Sequence, residues 1–145
     1  MIVRSLLRSL DALPRGIRWA LLPFGVVCSV VVGSLLDAGF DAAGLPRTYA
    51  LTFRMAASRF VAGLTFTLFP ALLSPRRWLV GVVMFAIGLA LAAVPLAYNI
   101  LVLPYMRERF LAGGFRSALG MIASFALGGG LALLLLWRRG RSAPV

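Results

Sequence analysis

Arg54 and Arg59 lie where arginine is costly, inside an otherwise apolar run from Tyr49 to Leu73. If both are left out, the run shrinks to Phe60–Leu73, about 21 Å of helix at ~1.5 Å per residue. A hydrocarbon core is about 30 Å thick, so Arg59 is expected below the membrane surface. A guanidinium near the bilayer centre costs at least ~2.5 kcal/mol, and ionisable groups at depth face protein or water. The chemistry such a residue offers is forked recognition of an anion, phosphate or carboxylate. Arg54, Arg59 and Arg116 form the candidate anion- or lipid-binding set. Asp37, Asp41, Tyr98 and Asn99 are the available internal partners. The simplest arrangement is an ion pair between Arg59 and Asp37, with Arg54 reaching up to the surface.

Other chemistries lack their residues. The chain has no histidine, which removes the usual general base and the usual haem or zinc ligand. Cys28 is the lone cysteine and lies inside an apolar run, so neither an internal disulfide nor a cysteine metal cage is available. No phosphate loop, zinc pattern or nucleophile elbow occurs. Asp37 and Asp41 would be the only acid-base candidates for a lipid-directed enzyme. The expectation is therefore a protein that is not an enzyme and carries no metal and no cofactor.

What must position these groups is set by composition. Of 145 residues, 61% are hydrophobic and 13% charged, against about 45–50% and ~25% in a soluble domain. Mean hydropathy is +0.97. A soluble fold of this size has too little interior to hide so much hydrocarbon, so lipid must cover the remainder. The class expected is an all-α membrane protein, a four-transmembrane-helix bundle, because backbone amides in lipid must bond within their own helix. The spans predicted are 19–36, 49–73, 78–103 and 115–137. Trp19, Trp78 and Trp137 each stand beside arginine at a span edge, the headgroup position for an amphipathic ring. Pro75, Arg76 and Arg77 read as a tight turn, and Pro95 and Pro104 as a kink or early end of the third span.

The chain reads as one membrane domain, 1–145. Residues 1–16 form a short amphipathic interfacial helix, with Ile2, Val3, Leu6, Leu7, Leu10 and Leu13 opposite Arg4, Ser5, Arg8 and Asp11. Residues 138–145 form a basic tail. One side of the spans carries Arg4, Arg8, Arg15, Arg18, Arg76, Arg77, Arg138, Arg139 and Arg141; the other carries Arg47, Arg107, Arg109 and Arg116. The positive-inside rule then places both termini in the cytoplasm of a bacterial inner membrane. The net charge of +11 lies at span edges, which points to anionic lipid headgroups and away from nucleic acid.

Gly25, Ser29 and Gly33 recur every fourth residue on the first span, and Gly120, Ser124 and Gly128 on the fourth. Such faces drive helix association in lipid, so they are the candidate packing or interface residues. The two faces are expected to meet antiparallel within the chain or to hold another protein. Laid over itself with an offset of 62 (109 − 47), the chain aligns Arg47 with Arg109, Phe53 with Phe115, Arg54 with Arg116, and Arg76–Arg77 with Arg138–Arg139. This suggests a duplicated hairpin. The function expected is a non-catalytic accessory or assembly subunit of a larger membrane complex, in contact with lipids and with other membrane subunits or itself. The alternative is a small oligomeric transporter or channel for an anionic or lipid-like substrate using Arg54 and Arg59.

Overall fold

The computed structural model describes residues 12–44, 53–101, 111 and 114–141, without the side chains of Asn99, Gly140 and Arg141. It contains five helices among those residues: α1 (Arg15–Ala20), α2 (Leu22–Ala42), α3 (Phe53–Leu73), α4 (Arg77–Leu101) and α5 (Phe115–Arg141). Four stretches are long and apolar enough to cross a membrane: Arg15–Ala42, Phe53–Leu73, Arg77–Tyr98 and Phe115–Arg139. No strand occurs among the described residues.

Helix ends differ from the apolar limits for a physical reason. Hydropathy marks where lipid begins, whereas the backbone ladder continues into the headgroup zone until something satisfies its last carbonyls. The first span thus runs past Leu36, through Asp37 and Asp41, to Ala42. It stops there because Gly44 adopts φ +70, a left-handed conformation that glycine enters at no steric cost. Its N–H donates to the Asp41 carbonyl (3.0 Å). At the other end Pro23, without an N–H, sits at the start of α2 and separates it from α1 at Leu21. α5 continues helically through the first residues of the predicted basic tail, to Arg141, and 142–145 lie outside the described residues. α4 runs unbroken through Pro95 to Leu101. Residues 1–11, which hold most of the predicted interfacial helix, and Pro104 lie outside the described residues.

The core is a three-helix group, α3, α4 and α5, in which each helix packs on the other two, and α2 is laid against α3. The α3–α5 contact is the closest. A Cβ built on Gly128 would fall on the carbonyl oxygen of Phe60, and one on Gly63 would fall on the carbonyl oxygen of Phe125. It would also approach the Gly129 nitrogen to 3.1 Å. Only glycine lets two backbones meet so closely, and in lipid, where burying apolar surface brings no hydrophobic gain, that close packing supplies the association. Across the opposite side of α3, Gly25 of α2 faces Pro70, with a built Cβ 2.9 Å from the Pro70 Cα.

This corrects the expectation that the Gly25 and Gly128 faces meet each other. Both pack on α3, Gly25 at Pro70 and Gly128 at Phe60. The mediating residues Gly63 and Thr67, themselves four apart, form the small-residue stripe on α3. Ser29 and Ser124 are satisfied within their own helices, donating to the Val26 (2.7 Å) and Gly120 (2.8 Å) carbonyls. Gly33 meets nothing within 4 Å.

The duplicated spacing reappears in the helices without a matching assembly. α1 and α4 start 62 residues apart (77 − 15), as do α3 and α5 (115 − 53). Gly63 meets Phe125 and Thr67 meets Gly129 at the same offset. α4, however, packs on both α3 and α5, whereas its counterpart, α1 with α2, packs chiefly on α3 among the described residues. The hairpins share a spacing and differ in packing.

Candidate functional site

The polar groups gather at the two ends of the α2–α3 pair, and at each end an arginine is spent on a helix terminus. At the far end, remote from the start of α1 and the end of α5, Arg54 in the first turn of α3 is buried, with its side chain 7% exposed. Its Nη1 donates to Asp41 Oδ1 at 2.7 Å and its Nη2 to the Asp37 carbonyl at 3.2 Å. The guanidinium carbon lies 5.9 Å from the Phe40 ring centre, and Phe40 is set edge-on to Phe53 with centroids 6.4 Å apart. A cation here faces the negative end of the α2 dipole, which adds to the ion pair.

At the near end Arg18 of α1 does the same for α3. Its Nη2 donates to the Ser74 carbonyl (2.6 Å) and its Nε to the Leu73 carbonyl (3.3 Å), carbonyls left open where the helix stops. The Ser74–Arg76 turn is closed by the Arg76 N–H on Ser74 Oγ (3.0 Å), in agreement with the predicted tight turn. In the sequence Arg18 is only a topology signal, because whether a boundary arginine meets lipid or a helix end depends on where the adjacent helix stops. Replacing Arg18 with glutamine is expected to cost about 2 kcal/mol, the range for hydrogen bonds from a charged donor, with the protein still folded. A denaturation titration in detergent checks it.

The predicted pairing at the far end is corrected. Arg59 is not bonded to Asp37 and Arg54 does not reach up to the surface; Asp37 Oδ1 accepts from Ser58 Oγ at 2.7 Å, and Arg54 takes Asp41. The antiparallel register explains this. Gly25 opposite Pro70 sets α2 against α3 so that Asp41 falls beside Arg54 and Asp37 beside Ser58. Arg59 is exposed, and no hydrogen bond or ion pair reaches it among the described residues. Arg116 and Tyr98 are likewise exposed, and neither joins the Arg54 cluster; the Asn99 side chain lies outside the described residues.

The candidate anion set thus divides. Arg54 is engaged by a carboxylate, a carbonyl and a ring, while Arg59 and Arg116 stand open on separate helices. Among the described residues no group of three metal-ligating side chains forms. One buried hydroxyl has no hydrogen-bond partner, Thr67 Oγ1. A Cβ built on Gly129 would lie 3.1 Å from it, so the glycine brings a backbone Cα–H to the hydroxyl, a weak contact of a kind frequent between close-packed helices.

Comparison of the chain with family models, with curated proteins and with solved structures finds no match.

Proposed function

We propose that this protein is a non-catalytic accessory or assembly subunit of a larger membrane complex. In this reading it sits in a bacterial inner membrane with both termini cytoplasmic and an interfacial helix at its amino terminus. The observation that carries the proposal is the attachment of α2. Three helices complete a mutually packed core, and among the described residues the fourth is held mainly through α3, leaving Val27, Val30, Val31 and Leu35 exposed and Gly33 open. A membrane helix attached on one side offers the rest of its surface to neighbours, and an open glycine there admits another helix backbone closely. The engagement of Arg54 by Asp41 fits a structural role for that residue. A small anion carrier would have to draw on Arg59 instead.

Gly33→Leu tests the proposal, because a Cβ there meets nothing within 4 Å. The wild-type chain, taken from its own membrane in mild detergent, is expected to migrate in a species larger than the lone protein on a native gel. Gly33→Leu is expected to release it from that species with its melting temperature unchanged. A wild-type chain that migrates alone, or a variant still in the larger species, would rule the proposal out.

A further inference from the structure

Arg59 and Asp37 share a level of the bundle where neither carries an ion pair among the described residues. Asp37 is exposed and spends Oδ1 on Ser58; its other carboxylate oxygen carries no hydrogen bond among the described residues. Ser58 immediately precedes Arg59 in α3, so the bond from Ser58 to Asp37 sets the carboxylate at the level of Arg59, about 100° round the helix, and no ion pair joins them. An unpaired cation and a half-used anion at one level, separated by that turn, are complementary to a ligand that carries both signs.

Depth decides what that ligand is. On α4, Gly88 meets Phe66 and Gly81 meets Ala71, which puts Arg59 level with the stretch around Val94 and Pro95. That level is about 24 Å along α4 from Trp78, taking ~1.5 Å per residue from 78 to 94. With Trp78 at one headgroup layer, a core about 30 Å thick ends only ~6 Å beyond the Arg59 Cα. An extended arginine covers that distance. Its guanidinium therefore reaches the phosphate layer of the leaflet remote from Trp78, so it needs no carboxylate from a partner helix within the hydrocarbon. Phosphate in that layer comes attached to acyl chains, and the headgroup that also supplies a hydrogen-bonding cation is one with a primary ammonium.

We propose that Arg59 and Asp37 form a binding site for an amine-bearing zwitterionic phospholipid, with the phosphate on Arg59 and the ammonium on the free oxygen of Asp37. Ser58 holds Asp37 in place through the 2.7 Å bond. The forked guanidinium suits two phosphate oxygens, and the ammonium donates to the carboxylate as a quaternary choline nitrogen cannot. This site does not depend on the chain joining a larger assembly, because every group in it belongs to this chain.

The test is lipid retention by the purified full-length chain, measured by native mass spectrometry after exchange into detergent with phosphatidylethanolamine, phosphatidylcholine or phosphatidylglycerol. Wild type is expected to retain phosphatidylethanolamine about tenfold better than the other two, the scale of one charge-assisted hydrogen bond. Arg59→Gln is expected to lose retention of every phospholipid by about tenfold or more, while Asp37→Asn loses only the preference for the ethanolamine headgroup. Arg116→Gln is expected to behave as wild type, and Arg59→Lys to keep part of the binding. Melting temperatures of Arg59→Gln and wild type should agree, since Arg59 bonds to nothing in the fold. Equal retention of the three lipids by wild type, undiminished retention by Arg59→Gln, or an equal loss in Arg116→Gln would overturn the proposal. Displacement of the lipid by free phosphoethanolamine would assign the same chemistry to a soluble ligand and would overturn the lipid site too.

Discussion

Gly128→Ala is expected to force α3 and α5 apart and to cost about 3 kcal/mol or more, the upper end of overpacking in a filled interior. The added methyl lands on the Phe60 carbonyl oxygen and within 3.0 Å of the Leu64 nitrogen. Those are backbone atoms of a helix, so no side-chain rotation relieves the overlap and the helices must separate along the whole crossing. Gly63→Ala is expected to do the same against the Phe125 carbonyl. Because both glycines serve one crossing, the double variant should cost clearly less than the two single costs added together: once the helices have moved apart for one methyl, the other fits. Gly130→Ala meets nothing within 4 Å and is expected to be neutral or slightly stabilising, since alanine is the better helix former. Gly129→Ala strikes the Phe85 ring, a side chain that can turn, and should fall between. Denaturant titration in detergent ranks the four. Equal stability of Gly128→Ala and Gly130→Ala would mean that the α3–α5 contact is not closed as described.

The elements were legible in the sequence because a membrane span is a long, one-dimensional signal: apolar runs bounded by tryptophan and arginine. Ser74–Arg76 was legible as a turn because Pro75 interrupts one such run. What hydropathy could not show was which faces meet. Gly25 and Gly128 stood out by their spacing with Ser29 and Ser124, but both are received by α3, Gly25 at Pro70 and Gly128 at Phe60 beside Gly63, which is set among bulkier residues in the sequence. The charge pairing was equally out of reach. Asp37 and Asp41 are one helical turn apart, so a shift of one turn between α2 and α3 would hand Arg54 to Asp37, or Ser58 to Asp41. That shift is fixed far away, where Gly25 seats on Pro70. The spare role of Arg59 follows from the same register, which carries Asp37 to Ser58 and leaves the next residue without an acid.

Breaking the Arg54–Asp41 pair from its two sides is expected to give unequal results, with Asp41→Ala the more damaging. Asp41 is 39% exposed against 7% for Arg54, so water can take over the carboxylate but not the guanidinium. Asp41→Ala takes the carboxylate from a buried cation, and should cost about 3 kcal/mol, the lower end for breaking a buried pair. Arg54→Leu fills much of the same space beside Phe40 with hydrocarbon and leaves a carboxylate that hydrates, so the loss should be about 1 kcal/mol. Arg54→Leu combined with Asp41→Ala should therefore recover most of the stability lost in Asp41→Ala alone. Exchanging the charges, Arg54→Asp with Asp41→Arg, should not restore the wild type, because position 54 also donates to the Asp37 carbonyl and faces the end of α2, where the dipole favours a cation. Denaturant titration of the four variants decides it. If Asp41→Ala proved no worse than Arg54→Leu, the guanidinium would have to be hydrated, and α3 could not be closed over α2 at this end of the bundle.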